Sequence, residues 1–276
     1  MSRISPVPIP IPSSPAATPL SLLFTALAAC SVPAGDRTGL LGAVVWTQTA
    51  AEHDALCEQV FRQATLAIEH LPAPREGSPP RAAIADVDET LLDNSPYQAR
   101  LVLDQRPFSR ESWNEWCLEA RAEPLPGAVA FAKACQEHSV LLFYVTNRAG
   151  KELEAATRKN LEAAGFPLDE PLGVDRVLCR GDVDGKGDKT GRRAWIEQRY
   201  EVVALLGDNL SDFVECEGST AERREILRRH ADELGTRWFL LPNPMYGSWE
   251  KAAVAGRRDA YQGKVGALRT MRTGSR

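Results

Sequence analysis

The feature that most constrains the fold is a series of five short apolar runs separated by longer stretches with helical spacing. The runs are Ala82–Ala85, Ser139–Val145, Val177–Cys179, Val202–Leu206 and Arg237–Leu241. A short apolar run that is bounded by turn-forming or polar residues is typical of a buried strand. Strands that alternate with helices are joined by right-handed crossovers and form a parallel sheet. The sequence therefore predicts an α/β fold.

The stretches between these runs carry the spacing of amphipathic helices. Apolar residues recur at helical intervals from Thr49 to His70, and the pattern ends before Pro72. The same spacing predicts later helices over Lys151–Ala164, Thr190–Tyr200 and Ala221–Leu234. One segment, from about Ser95 to Ala122, does not fit the alternation, and we predict a helical excursion above the sheet. Its aromatic residues are Phe108, Trp113 and Trp116.

The composition excludes several classes of protein. The chain has 276 residues, of which 43% are apolar and 25% charged. This balance is unlike that of a disordered, fibrous or polytopic membrane protein. The chain has 33 basic and 37 acidic side chains and a net charge of −4. A surface without a basic excess argues against binding to a nucleic-acid polymer.

The amino terminus differs from the rest of the chain. It contains one basic residue, Arg3, several prolines and an apolar run from Leu20 to Ala29 that ends at Cys30. A helix of ten residues spans about 15 Å, half of a bilayer core, but it has the length of the apolar part of a signal peptide. The sequence Leu27-Ala28-Ala29-Cys30 resembles a bacterial lipobox, in which the cysteine receives a lipid. The alternative is a disordered tail with an accidental cysteine.

From this pattern we predict a lipoprotein signal peptide over residues 1–29, a linker over residues 30–42 that follows lipidated Cys30, and one domain over residues 43–276. The protein would then be lipid-anchored in a bacterial cell envelope, at the outer membrane or facing the periplasm. Five further cysteines have no CxxC spacing, which argues against a structural zinc site. We expect them to be buried as small apolar side chains: Cys57, Cys117, Cys135, Cys179 and Cys216.

Polar residues follow the predicted strands at the points where they end. Asp86–Thr90 follows the first strand, Thr146–Arg148 the second and Gly207–Asp212 the fourth, while Lys189 lies at the start of a helix. Ligands bind at the carboxyl ends of the strands in an open parallel sheet, so we expect these groups to converge on one edge. Clustered carboxylates are costly to bury unpaired, and a hard cation such as Mg²⁺ with oxygen ligands relieves that cost.

Each of these residues also has a simpler interpretation. Thr146 alone is most often a helix N-cap. Lys189 competes with Lys186, three residues earlier in the same loop. Asp212 could be an acidic residue favoured by the dipole at the start of a helix. We predict that Asp93 and Asn94 only cap the helix after the first motif and lie outside the site.

Taken together, Asp86-x-Asp88-x-Thr90, Thr146, Lys189 and Gly207-Asp208-x-x-x-Asp212 resemble the four motifs of the haloacid dehalogenase phosphohydrolases. The flanking sequence from about residue 43 to 250 resembles the class C acid phosphatases, the lipoprotein e type of 5′-nucleotidase. The segments that carry this resemblance are VWTQ (45–48), ADVDETLLDNSPY (85–97), ESWNEW (111–116), LPGAV (125–129), FYVTNR (143–148), GDNLSDF (207–213) and LPNPMYGSWE (241–250).

The resemblance implies a haloacid dehalogenase-like, Rossmannoid parallel sheet with helices on both faces and a small helical cap region, over about 43–75 and 95–122. It implies that Asp86 attacks phosphorus and that Asp88 protonates the leaving group, held protonated by the carboxylates around it. Thr146 and the backbone from Asn147 onward would bind phosphate oxygens, and Lys189 would offset their charge.

The resemblance also implies Mg²⁺ as cofactor. The ion would be bound by the Asp86 carboxylate, the Asp88 backbone carbonyl and Asp208, with Asp212 contributing through water. Trp113 and Tyr246 would stack on a nucleobase, although both could instead be core aromatics. The resemblance further suggests a homodimer.

Three classes of function remain open on the sequence. The first is a Mg²⁺-dependent phosphomonoesterase acting on nucleoside 5′-monophosphates. The second is a broad acid phosphatase without nucleotide preference. The third is a non-enzyme, either a phospho-acceptor receiver domain or a surface binding lipoprotein. Receiver domains lack a second acid two residues after the nucleophile, so the pair Asp86 and Asp88 argues against the third class.

Overall fold

A computed structural model describes residues 34–169, 173–183, 185, 187–216, 218–254 and 260–272. The predicted signal peptide, Cys30 and Lys186 lie outside the described residues. The strands are β1 Arg81–Ala85, β2 Leu92–Asp93, β3 Glu123–Pro124, β4 Val140–Ala149, β5 Val177–Arg180, β6 Glu201–Gly207 and β7 Trp238–Leu240. Five of them form a parallel sheet in the order β5-β4-β1-β6-β7, and β2 and β3 form a separate antiparallel pair.

The register of the central strands sets where the polar motifs begin. Ala85, the last residue of β1, pairs with Tyr144 in β4 and with Leu206 in β6. The chain leaves β1 at Asp86, and β4 and β6 reach Thr146 and Gly207 within two residues of that level. The predicted parallel sheet is therefore confirmed, and the motif residues begin at one edge of it.

Helices cover both faces of the sheet. They are α1 Ala34–Thr49, α2 Ala51–Glu69, α3 Ser95–Leu103, α4 Arg110–Glu119, α5 Ala128–Glu137, α6 Lys151–Ala163, α7 Thr190–Glu197, α8 Thr220–Arg229, α9 Ser248–Val254 and α10 Ala260–Arg272. Alternate residues of β1 enter two separate apolar clusters. Ala83 and Ala85 pack with Phe61 of α2, whereas Ala82 and Ile84 belong with residues of α7 and β7.

The predicted linker is wrong over residues 34–42, because they lie in α1. Gly39 and Gly42 lower the helical tendency of this segment, and its local composition resembles a loop. The helix packs against α3 and buries Val44 and Thr47 on one side. Tertiary packing thus outweighs local propensity here.

The helical excursion predicted over Ser95–Ala122 is present as α3 and α4. The five described cysteines are buried and unpaired, as predicted for small apolar side chains. Within the part of the chain that the structure describes, no helix has both the length and the apolar character needed to cross a bilayer.

Candidate active site

Asp86 lies directly after β1, at the carboxyl edge of the sheet. Its backbone N–H donates to the carbonyl of Leu206 at 3.0 Å, which extends the β1–β6 pairing by one residue. Its side chain forms an ion pair with Lys189, and the Lys189 Nζ also lies 2.7 Å from Asp212 Oδ1. All three side chains are buried. Three predicted motifs, far apart in sequence, therefore meet at one ammonium group.

Gly207 allows Asp212 to reach this position. A Cβ atom at residue 207 would lie 2.4 Å from the Cβ of Asp212, so the carboxylate side chain packs directly over a backbone that has no side chain. Asp212 belongs to a short 3₁₀ turn, Leu210–Asp212, and its Oδ2 accepts a hydrogen bond of 2.9 Å from the Asn209 N–H. The local fold of the loop thus fixes the carboxylate toward Lys189.

Three carboxylates form a compact acidic group. One oxygen from each of Asp86, Asp208 and Asp212 lies within 4.8 Å of the others. Asp208 is additionally held by Asn243, whose Nδ2 donates to Asp208 Oδ2 at 2.7 Å. Lys189 offsets one of the three negative charges. The remaining charge and the all-oxygen donor set fit a hard divalent cation such as Mg²⁺.

The pKa values of these groups reflect the crowding. Burial, reinforced by Asp212 and Asp88 and opposed by Lys189, raises the pKa of Asp86 to about 7. Burial, together with Asp212 and Asp86, raises the pKa of Asp208 well above its usual value. Desolvation lowers the pKa of Lys189, but its two carboxylate partners outweigh it and the pKa lies above the ordinary value. Without a cation, the site therefore favours bound protons.

Asp88 has different surroundings from those the sequence suggested. We expected the neighbouring carboxylates to dominate, but its side chain lies against the guanidinium of Arg148, with Nη2 2.7 Å from Oδ1. Asn94 Nδ2 donates to the same oxygen at 3.0 Å. The reason is that β4 continues to Ala149 and carries Arg148 inward as a buried side chain. Asp86 and Asp88 thus share a motif but not an environment.

Thr146 and Asn147 follow the apolar part of β4, as predicted. Thr146 is fully buried; its hydroxyl accepts from the Arg148 N–H at 3.1 Å and donates to Asp88 Oδ2 at 3.3 Å. Asn147 is exposed, and its Oδ1 accepts from Arg192 Nη2 at 2.7 Å. Thr146 is therefore beside Asp88 rather than at a helix N-terminus.

Two consecutive arginines that the sequence analysis left unassigned join the loops around the site. Arg192, in the first turn of α7, also donates to the backbone carbonyl of Thr146 and, at 3.1 Å, to that of Asp188. Arg193 donates to the carbonyl of Ser211 at 2.8 Å. Both side chains are buried. The sequence feature that could have identified them is a pair of arginines at positions where the predicted helix faces the core.

A cavity of about 250 Å³ opens above the carboxylates. Asp86, Asp88, Lys189, Asp208 and Asp212 line one part of it. Phe108, Trp113 and Tyr246 line the other part. The structure therefore brings both aromatic residues predicted for base stacking to the same cavity as the motif residues.

The two tryptophans of α4 lie in different environments. Trp116 is buried in the core, whereas Trp113 faces the cavity and packs edge-on against Tyr97 at 5.2 Å between ring centroids. Tyr246 donates a hydrogen bond from its hydroxyl to the buried carboxylate of Glu89. The ring of Tyr246 is thereby held at the cavity wall.

The predicted capping role is confirmed for Asp93 and wrong for Asn94. Asp93 Oδ1 accepts from the Ser95 N–H at 2.7 Å, at the start of α3. Asn94 makes no side-chain capping bond. Its Oδ1 accepts from Trp116 Nε1 at 2.7 Å and its Nδ2 donates to Asp88. Asn94 therefore belongs to the surroundings of the site, which its position before a Ser-Pro helix start did not indicate.

Comparison with known proteins agrees with this geometry. A family model described as HAD superfamily, subfamily IIIB (acid phosphatase), matches residues 37–249. The class C acid phosphatase from Bacillus anthracis is 33% identical and superposes with a TM-score of 0.73 over 84% of this chain and 96% of its own.

Among curated proteins, acid phosphatase 1 of Solanum lycopersicum is 29% identical over 168 residues, 59% of this chain and 57% of its own. The stem 28 kDa glycoprotein of Glycine max is 26% identical over 172 residues, 62% of this chain and 61% of its own. The match thus spans about three fifths of the length of these relatives. With most of its length matched by the family model and the motif residues gathered at one sheet edge, the chain belongs to the acid phosphatases of haloacid dehalogenase subfamily IIIB.

Proposed function

We propose that this protein is a Mg²⁺-dependent acid phosphatase that hydrolyses phosphomonoesters through an aspartyl-phosphate intermediate, with nucleoside 5′-monophosphates as preferred substrates. The observation that carries the proposal is the position of Asp86. Its carboxylate belongs to the acidic group, pairs with Lys189 and lines the same cavity as Asp88. A receiver domain would lack this second acid.

In the first step, an Asp86 oxygen attacks phosphorus while the bond between phosphorus and the leaving oxygen breaks. Asp88 gives its proton to that oxygen, and the alcohol departs. Lys189, paired with Asp86, offsets negative charge around the transferred phosphoryl group. The Asn147 backbone N–H would donate to a phosphoryl oxygen, whereas the Arg148 N–H donates to the Thr146 hydroxyl.

In the second step, water attacks the phosphorus of the aspartyl-phosphate. Asp88, now ionised, accepts a proton from that water, and the bond between phosphorus and the Asp86 oxygen breaks. Inorganic phosphate is released, Asp86 is again a carboxylate, and Asp88 again carries its proton. The same residue thus serves as acid and then as base.

The residues that would hold Mg²⁺ are Asp86 and Asp208, with Asp212 and the Asp88 backbone carbonyl completing the set. A bound divalent cation supplies positive charge that permits a phosphate dianion to approach an ionised carboxylate. Lys189 alone leaves the group of three carboxylates with an excess of two negative charges. This excess is the argument for a divalent rather than a monovalent ion.

The nucleotide preference rests on the cavity wall. Trp113 and Tyr246 offer aromatic surface in the cavity that contains Asp86, and stacking on aromatic rings accepts any base. A broad acid phosphatase would show the same chemistry without this preference. The kinetics of hydrolysis of AMP and of p-nitrophenyl phosphate distinguish the two.

The experiment that tests the proposed activity is phosphate release from a substrate panel at pH 5 to 6, with Mg²⁺ or with EDTA. The wild type should release phosphate only with the metal, and Asp86→Asn should be inactive on every substrate. Activity retained by Asp86→Asn would rule out the proposed nucleophile. As a control, Asp54→Asn replaces an exposed aspartate of α2 and should keep full activity.

We also propose that the chain is lipid-anchored at Cys30 in a bacterial envelope. The support is the apolar run Leu20–Ala29 that ends at this cysteine. Expression of wild type and Cys30→Ser in a bacterial host with labelled fatty acid tests it. Label on the wild type alone supports the anchor, and equal absence of label from both proteins contradicts it.

A further inference from the structure

We propose that Arg148 and Asn94 are positioning residues that hold the Asp88 carboxyl by its Oδ1 atom and leave Oδ2 to exchange the proton with the leaving group. The inference rests on the proposed function, because it assumes that Asp88 is the general acid. It extends that function by assigning roles to two buried residues outside the four motifs and to the two oxygens of one carboxyl.

Arg148 approaches Asp88 as a fork. Its Nη2 and Nε donate to Asp88 Oδ1 at 2.7 and 3.0 Å, and the guanidinium side chain is only 1% exposed. Its Nη1 donates to Thr157 Oγ1 at 3.3 Å, and that hydroxyl donates in turn to the Leu153 carbonyl at 2.7 Å. A planar guanidinium fixed at both ends orients a carboxylate more strictly than a single ammonium contact.

Asn94 has only one possible amide orientation. Trp116 Nε1 is a donor without acceptor capacity, and it lies 2.7 Å from Asn94 Oδ1. The Asn94 NH₂ group must therefore face the other way, where it donates to Asp88 Oδ1 at 3.0 Å and to Glu89 Oε2 at 3.3 Å. Because Asn94 is fully buried, water cannot replace these partners.

The two oxygens of Asp88 consequently differ. Oδ1 receives three donors at 2.7 to 3.0 Å, two from Arg148 and one from Asn94. Oδ2 receives only longer contacts of 3.3 Å, from Thr146 and from Arg148 Nε. Donors that converge on Oδ1 leave no room for a proton there. Oδ2 is therefore the oxygen with room for a further partner, such as the leaving group.

The same network reaches the cavity wall. The Arg148 guanidinium carbon lies 5.8 Å from the centre of the Trp113 ring, within the range of a cation–π contact. Trp113 is the side chain that we expect to contact the leaving group. Arg148 therefore contacts both the acid and the wall against which the leaving group would lie.

Leaving-group dependence distinguishes a positioning role from a structural one. A proton donor must lie within hydrogen-bond reach of the leaving oxygen, and this assistance contributes about 10² to 10⁴-fold in rate. An alkyl leaving group, as in AMP, needs the proton, whereas 2,4-dinitrophenolate departs without it. Loss of Asp88 orientation should slow the first substrate much more than the second.

The experiment compares kcat/KM for AMP and for 2,4-dinitrophenyl phosphate in wild type, Asp88→Asn, Arg148→Gln, Arg148→Lys and Asn94→Ser, all with Mg²⁺. The ratio of the two values does not depend on the fraction of folded enzyme. We expect the ratio of AMP to dinitrophenyl phosphate to fall about 100-fold in Arg148→Gln and Asn94→Ser. A smaller fall is expected in Arg148→Lys, which keeps the charge.

The matched control is Arg158→Gln, which removes an arginine of α6 that pairs with Glu154 and Asp175 away from the cavity. Its ratio should equal that of the wild type. An unchanged ratio in both Arg148→Gln and Asn94→Ser, while Asp88→Asn changes it, overturns the positioning role and leaves the proposed function intact. Activity retained by Asp86→Asn contradicts the proposed function instead.

Should Arg148→Gln yield no folded protein, Asn94→Ser and Thr157→Val, which frees the far end of Arg148, test the same ratio.

Discussion

The hydroxyl of Tyr246 donates a hydrogen bond to Glu89, which links the cavity wall to the loop that carries Asp86. Glu89 is buried and has a positive φ of 57°, in the loop between β1 and β2. Burial and the nearby Asp88 raise the pKa of Glu89 well above its usual value. Tyr246, 157 residues away in sequence, donates to this carboxyl beside the backbone N–H and the Nδ2 of Asn94.

Replacement of Tyr246 by Phe should therefore destabilise the fold without removing the aromatic wall. The change leaves Glu89 Oε2 with only the longer contact of 3.3 Å from Asn94 Nδ2, at a cost of about 1–3 kcal/mol in the free energy of unfolding. Urea unfolding measures this cost, and the preference for AMP over p-nitrophenyl phosphate should stay within about twofold of the wild type because the ring remains. A loss of preference with unchanged stability would show that the hydroxyl contacts substrate instead of Glu89.

Replacement of Trp113 by Leu should reduce the preference for nucleotides. Stacking of a base on an aromatic ring is worth about 1–3 kcal/mol, so kcat/KM for AMP should fall about 10-fold or more. The value for p-nitrophenyl phosphate should change less, because its ring is smaller. The control is Trp195→Leu, in a tryptophan that packs against Phe143 and Arg199 outside the cavity. If Trp113→Leu changes kcat/KM for AMP and for p-nitrophenyl phosphate by the same factors as Trp195→Leu does, Trp113 has only a structural role.

The sequence was sufficient to locate the edge of the sheet where the motif residues meet, because two local signals coincide there. An apolar run with all residues buried, such as Ala82–Ala85, is recognisable without tertiary information, and the polar residue that follows it has to lie at the end of the strand. Parallel pairing then brings Asp86, Thr146 and Gly207 together. The parallel direction was predicted from the sequence, whereas the strand order β5-β4-β1-β6-β7 comes from the structure.

The support around that edge was not predictable in the same way. Arg148 and Arg192 reach their partners through long, flexible side chains, and the direction of these side chains and of Asn94 depends on the packed fold. Asn94 stands before a helix and has a capping residue type, yet Asp93, one position earlier, makes the capping bond. A donor-only indole from Trp116 occupies the Asn94 oxygen, and no local rule contains that contact.

Stability of the metal-free protein should fall as pH rises from about 4 to about 7. The pKa of Asp86 is raised from 3.8 to about 7 in the folded state, and that of Asp208 is also raised. In this interval the folded state binds more protons than the unfolded state, so the free energy of unfolding decreases with pH, by up to about 1.4 kcal/mol per pH unit for each group.

Thermal unfolding with EDTA and with Mg²⁺ at several pH values measures this linkage. The stabilisation by Mg²⁺ should be larger at pH 7 than at pH 5, because the ion binds ionised carboxylates. Asp86→Asn should flatten the pH dependence in EDTA by removing one of the two groups. A stability in EDTA that rises steadily between pH 4 and pH 7 would contradict the raised pKa values.

The tight packing between Gly207 and Asp212 gives the most direct test of the geometry of the site. A Cβ atom at position 207 would lie 2.4 Å from Asp212 Cβ, so Gly207→Ala must displace this carboxylate from Lys189 and from the acidic group. We expect at least a 10-fold loss of Mg²⁺ affinity, measured by calorimetry, together with a lower kcat/KM.

Gly42→Ala is the matched control: this glycine lies in α1, where an added Cβ would meet no neighbouring atom within 4 Å, and it has no positive φ. That substitution should stabilise the fold by about 0.5–1 kcal/mol and leave metal binding unchanged. If Gly207→Ala binds Mg²⁺ as tightly as the wild type, Asp212 does not contribute to the cation site.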